Sequence, residues 1–94
     1  MASRKGGGRS RPWVVSPSYE AAIKVLVDAR GAAGLSQRDL ADRIGKPRSF
    51  VSKVENRERR LDIIEFIAVA RGLGVRPEVL IETVAAAAGA ELQF

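Results

Sequence analysis

The stretch Ser36-Gln37-Arg38-Asp39-Leu40-Ala41-Asp42-Arg43-Ile44-Gly45-Lys46-Pro47-Arg48-Ser49-Phe50-Val51-Ser52-Lys53-Val54-Glu55-Asn56 contains two short amphipathic segments separated by three residues. The first opens on Ser36 with Asp39 three residues later, the pattern in which two side chains cap each other's backbone N–H groups. It carries Leu40, Ala41 and Ile44 on one side and stops at Gly45, which makes a helix of barely two turns. The second is expected to start with Pro47 at its first helical position and to run to about Glu55, with Asn56 taking the left-handed conformation that ends it. A connection as short as Gly45-Lys46-Pro47, with glycine at its start, is what two helices need to cross steeply as a helix-turn-helix.

At the helical period, Arg48, Ser49, Ser52, Lys53 and Asn56 share an arc about 140° wide, while Pro47, Phe50, Val51 and Val54 share the opposite side. The second helix therefore has a packing face and a presenting face. A solvated surface helix is amphipathic too. This polar face holds donors and short polar groups with no acid, a chemistry suited to base edges and phosphates.

The flanking sequence reads as three more helices and no strand. One begins at Pro17 capped by Ser16, or at Tyr19 capped by Ser18, places Tyr19, Ala22, Ile23, Leu26 and Ala33 within one arc, and ends at Gly31 and Gly34. Another is opened by the Asp62/Glu65 capping pattern and places Ile63, Ile64, Ile67, Ala68 and Ala70 before Gly72 and Gly74. The last starts at Pro77 and runs to Ala88. The expected fold is all-α and compact, with five helices in a domain over residues 13–94. Residues 1–12 are rich in Gly, Ser, Arg and Lys and read as a flexible basic arm.

The chain has 94 residues and a net charge of +5, unevenly spread. Residues 1–17 hold Arg4, Lys5, Arg9 and Arg11 with no acid, and residues 36–60 hold eight basic against four acidic residues. Residues 61–94 hold only Arg71 and Arg76 against five acids. A basic arm and a basic centre mark a polyanion partner, since neutralising phosphates releases condensed counterions. A membrane surface fits less well, because no segment joins a basic face to a broad aromatic or leucine face. No export signal or membrane span is visible, and a cytoplasmic, nucleoid-associated location is expected.

The chain has neither cysteine nor histidine, which removes thiolate nucleophiles, imidazole bases and nearly every tight transition-metal site. No phosphate-binding glycine loop, nucleophile elbow or paired carboxylates are present. The expectation is a protein that is not an enzyme and takes no cofactor and no metal.

Three blocks, Gly34-to-Gly45, Ser49-to-Asn56 and Ala70-Arg71-Gly72-Leu73-Gly74-Val75, together resemble the phage repressor and Cro-like family (XRE-type) of helix-turn-helix domains, over roughly residues 18–84. The resemblance implies a lambda-repressor-like five-helix domain that binds double-stranded DNA in transcription regulation. It also implies a homodimer on a palindromic operator, with the third helix in the major groove. It places Gln37 on a backbone phosphate, Arg48 and Ser49 on base edges, and Lys53 on a base or phosphate. Arg48 is the main candidate for specificity, since its guanidinium can pair in bidentate fashion with guanine. Asn56 and Arg57 follow where the family's loop approaches phosphates. Arg38 and Lys46 complete the DNA-binding set, and Ser52 is expected to face backbone or packing. Arg30 and Glu55 match positions that form an internal ion pair in the family.

Two residues depart from the family pattern. Lys46 stands where an apolar residue is common, and its stem can lie along the core edge. Arg57 stands where glycine is frequent, which moves the expected left-handed residue to Asn56. Arg9-Ser10-Arg11 can reach an adjacent minor groove. The last helix is apolar over more than one face, leaving Ile81, Ala85 and Ala88 for a dimer partner or for the tail residues Leu92 and Phe94. The rival reading is an antitoxin or interaction module that holds a toxin or polymerase subunit, with DNA binding secondary.

Overall fold

The computed structural model describes residues 16–94. The basic arm, its Arg9-Ser10-Arg11 groove contact and the Trp13 boundary lie outside the described residues. Five helices follow in order: α1 Pro17–Ala32, α2 Gln37–Ile44, α3 Arg48–Glu55, α4 Ile63–Leu73 and α5 Pro77–Ala88. No strand occurs among the described residues.

Local chemistry sets most of the boundaries. Ser16 caps α1, its hydroxyl accepting the Tyr19 N–H at 3.2 Å, with Pro17 in the first turn where no N–H is needed. Ser36 and Asp39 cap each other reciprocally at the start of α2, and Asp62 and Glu65 do the same at α4. Gly45 ends α2 at φ 71°, a conformation that costs a side-chain-bearing residue about 1–2 kcal/mol. This turn lets the Lys46 N–H reach back to the Ala41 carbonyl at 3.0 Å and satisfies an end carbonyl of α2.

Helices α2 and α3, each of eight residues, are too short to persist alone. They are held by burial of Leu40 and Ala41 from α2 and Phe50, Val51 and Val54 from α3 against Ile23, Leu26, Val69, Ala70, Leu73 and Leu80. Each large apolar side chain so buried contributes about 1.5–3 kcal/mol. Helix α1 packs most extensively on α5, and α2 on α3.

Four local readings are corrected. Pro47 is the cap residue of α3 and not its first helical residue: its φ of −67° suits both positions, but its ψ of 153° is extended. Asn56 has φ −84°, and the left-handed residue is Arg57 at φ 61°. The end of α3 at Glu55 dictates this, because the closing bonds run from Arg57 N–H to the Val54 carbonyl and from Glu58 N–H to the Lys53 carbonyl. Ile63 and Ile64 lie outside the core, 78% and 72% exposed, since the inward stripe of α4 begins at Phe66 and continues through Val69, Ala70 and Leu73. Gly31 lies inside α1, and Gly34 past its end is the left-handed glycine.

Candidate nucleic-acid interface

The presenting face of α3 is bare. Arg48, Ser49 and Lys53 are exposed, while Phe50, Val51 and Val54 on the opposite side are buried. The side chains of Arg48 and Lys53, with Arg38 on α2, form no hydrogen bond or ion pair among the described residues. Three exposed cations are therefore available on two adjacent helices. Proline caps α3 without a side-chain bond, so no capping acid stands among them at its start.

Four further residues of the sequence-derived set are engaged. The Ser52 hydroxyl donates to the Ser49 carbonyl at 3.2 Å within its own helix. Gln37 donates its side-chain N–H to Glu55 at 2.9 Å. Arg57 faces Glu20 of α1 at 3.7 Å, with both side chains about half exposed. The Lys46 ammonium lies 5.3 Å from the centre of the Phe50 ring, so its stem follows the edge of the core. Asn56 is exposed.

Behind the face stands a nearly buried ion pair. Arg30 Nε donates to Glu55 Oε2 at 2.6 Å and Nη2 to Oε1 at 2.9 Å, with side-chain exposures of 18% and 10%. The third guanidinium nitrogen donates to the Leu35 carbonyl at 2.8 Å. The bond to Glu55 raises the pKa of Arg30 above its ordinary value. One side chain thus ties the end of α1 to the end of α3 and to the segment that opens α2.

A second clamp, absent from the sequence reading, fixes the connection from α3 to α4. Arg59 donates to both carboxylate oxygens of Glu65 at 2.8 Å and stacks 4.7 Å from the Phe50 ring centre. The Arg59 guanidinium, and next the Asp62 N–H, hold the Glu65 carboxyl down to about 2 against the cost of burial. Arg60 lies 4.7 Å over the Tyr19 ring, whose hydroxyl accepts the Leu61 N–H at 3.3 Å. Burial pushes the Tyr19 hydroxyl pKa up. The available signal was basic Arg59-Arg60 ahead of an acid already serving as a cap. Sequence spacing alone does not show that Glu65 can do both.

Away from α2 and α3, an apolar groove of about 630 Å³ runs between α1, α4 and α5. Tyr19, Ile23, Phe66 and Ile67 form its walls, and Ile63 and Ile81 its exposed rims. The tail passes the start of α1, where Gln93 N–H donates to the Ser18 hydroxyl at 2.8 Å, yet Leu92 and Phe94 stay 56% and 88% exposed and do not fill the groove. No helix among the described residues is long and apolar enough to cross a membrane, and no acidic cluster there can hold a metal.

A helix-turn-helix family model matches residues 26–80, from the core side of α1 to the first turn of α5. The chain belongs to the XRE-type helix-turn-helix family. Among solved structures it is similar to an XRE-family like protein from Pseudomonas syringae pv. tomato str. DC3000, at 51% identity over 73% of this chain and 84% of that one, with a TM-score of 0.70. It is also similar to a tyrosine-to-phenylalanine mutant of the restriction-modification controller protein C.Esp1396I, at 29% identity over 69% and 82% of the two chains, with a TM-score of 0.66. The controller protein C.AhdI from Aeromonas hydrophila follows at 33% identity over 64% and 91%, with a TM-score of 0.59. No curated protein matches the chain. As a member of the XRE family it is a DNA-binding transcription regulator, and the comparisons indicate no enzymatic family.

Proposed function

We propose that this XRE-type regulator reads a specific double-stranded operator by placing α3 in the major groove, as a homodimer on two half-sites. The observation that carries the reading is the pair of exposed cations, Arg48 and Lys53, on the one face of α3 that the core leaves uncovered. Arg48, in the first turn, is the specificity residue, bidentate to guanine O6 and N7, and Ser49 touches the adjacent base edge. Lys53, Arg38, Lys46, Asn56 and Arg57 serve phosphates and set the register, and Gln37 does so from the start of α2.

The second copy docks on α5 and the groove beside it. The groove residues belong to α1, α4, α5 and the loops, none to α2 or α3, so pairing there leaves the reading face open. An apolar strip with isoleucine rims suits a self-complementary two-fold contact, and two reading helices so joined address half-sites about 34 Å apart. A regulator of this kind works in the cytoplasm on the nucleoid.

Selection of bound duplexes from a random pool, repeated with Arg48→Ala, tests the reading. Relaxed preference at one position per half-site is expected, with affinity that falls steeply as salt rises. A uniform loss across sequences makes Arg48 a phosphate contact, and no binding of wild type at low salt overturns the DNA reading. Sedimentation equilibrium of the same wild-type sample is expected to show a dimer, and a monomer at all concentrations removes the two-half-site arrangement.

A further inference from the structure

Glu55 has more partners than an ion pair requires. Its Oε1 accepts from Arg30 Nη2 and also from Gln37 Nε2, both at 2.9 Å, while Oε2 accepts from Arg30 Nε. Gln37 is the first residue of α2 and sits on the edge of the basic face beside Arg38. A carboxylate accepts and cannot donate, so this bond decides which way the Gln37 amide points: its nitrogen faces Glu55. One N–H is thereby used, and the second N–H of the same nitrogen remains for an external acceptor. Gln37 is half-buried and Glu55 is nearly buried, which limits other rotamers.

We infer that Glu55 is a positioning residue for DNA binding, and that the Arg30–Glu55 pair holds the Gln37 amide ready to donate its free N–H to a backbone phosphate. The inference rests on the DNA reading above and deepens it. The pair joins three elements at one carboxylate, since Arg30 comes from the end of α1, Gln37 from the start of α2 and Glu55 from the end of α3. The geometry of the phosphate contact is therefore fixed to the reading helix itself. An amide held before binding loses little rotamer freedom on contact. Arg30 supplies the charge that lets the carboxylate sit this deep, because an unpaired one there would be strongly unfavourable.

The test is a cycle between Gln37→Ala and the paired change Arg30→Met with Glu55→Met, which removes both charges together and leaves no lone buried ion. Each protein is first checked for cooperative melting and then titrated with a labelled random-sequence duplex at low salt. Each arm is expected to weaken binding about three- to tenfold, and the triple variant to bind no worse than the weaker arm. The salt slope should not change, since a neutral amide displaces no counterion. Losses that multiply in the triple variant show that the ion pair acts only through the fold and overturn the inference, as does unchanged binding by Gln37→Ala. Proton NMR of the DNA-free wild type gives a readout that needs no variant. One Gln37 side-chain amide proton should lie downfield of those of Gln93, the only other glutamine. Coincident shifts overturn the inference. A shifted Gln37 amide in a protein that binds no duplex refutes the DNA reading and leaves the Glu55–Gln37 bond standing.

Discussion

Replacing Gly72 with alanine tests how closely α2 and α4 approach. A Cβ on Gly72 would lie 2.8 Å from Ile44 Cγ2 and 3.0 Å from Leu40 Cδ1, the first closer than real carbon contacts come. Ile44 is β-branched and stiff at χ1, and Leu40 is 4% exposed and enclosed by the core, so neither side chain yields readily. The helices must separate, which also strains the 3.0 Å bond from Arg43 Nη1 to the Gly72 carbonyl. Forcing one carbon into such a core costs about 1–3 kcal/mol. Alanine in place of glycine returns about 0.5 kcal/mol of propensity in the last turn, where Gly72 is the penultimate residue of α4. The net expectation is a loss of about 0.5–2.5 kcal/mol, or roughly 2–20 °C in melting temperature for a domain of this size.

Gly31 supplies the control. It also lies within a helix, near the end of α1, and a Cβ there meets nothing within 4 Å. Gly31→Ala should therefore raise stability by about 0.5 kcal/mol, the same last-turn gain with no clash set against it. Both variants are measured by thermal and urea unfolding followed by circular dichroism. Opposite signs are the expected result. A Gly72→Ala protein as stable as Gly31→Ala would refute the close-approach argument, because only the neighbours of the two glycines differ.

Two further outcomes follow from the loop after α3. Arg57→Gly relieves a left-handed residue and gives up only a half-exposed, 3.7 Å ion pair with Glu20, so a gain of about 0.5–1 kcal/mol is expected by urea unfolding. If Arg57 also touches a phosphate, duplex affinity falls in the same variant and the salt slope shrinks by about one. Glu65 is held down to about 2 in the folded protein, against 4.5 when free, so its contribution is complete above the unfolded value and disappears as pH falls through about 2. Acid titration of melting temperature should show this loss between those limits in wild type. In Glu65→Gln it should be smaller by roughly 1 kcal/mol, a figure reduced for solvent screening at the half-exposed Arg59. Equal acid sensitivity of the two proteins argues against the clamp.

Helix starts were legible because their chemistry is local. A serine or aspartate with an acid three residues on, or a serine ahead of a proline, needs only its own turn to form. Pro47 was ambiguous for an equally local reason, since its locked φ fits both the cap and the first helical position and only ψ separates them. The left-handed residue after α3 could not be chosen by residue preference. Asn56 is the better candidate by type, but the position is counted from the last helical residue, and that count lands on Arg57. Gly72 was equally opaque. Its sequence neighbourhood reads as a helix end, and its actual role is set by Ile44 and Leu40, far away in the chain.

The candidate site was readable to the extent that it is what the core leaves uncovered. Once Phe50, Val51 and Val54 are assigned inward, the period of the helix leaves Arg48, Ser49 and Lys53 outward, and no tertiary knowledge is needed. Arg48 and Lys53 form no hydrogen bond or ion pair among the described residues, whereas Gln37 and Ser52 are hydrogen-bonded to Glu55 and Ser49. The distinction matters for affinity. A free cation must be ordered by the DNA it meets, while a side chain already held by its own protein arrives ordered. A face that combines both can gain its salt-dependent attraction from the mobile charges and its register from the fixed amide. On the proposed reading, the fixed amide depends on tertiary bonds to Glu55, which the residue pattern of α2 and α3 does not encode.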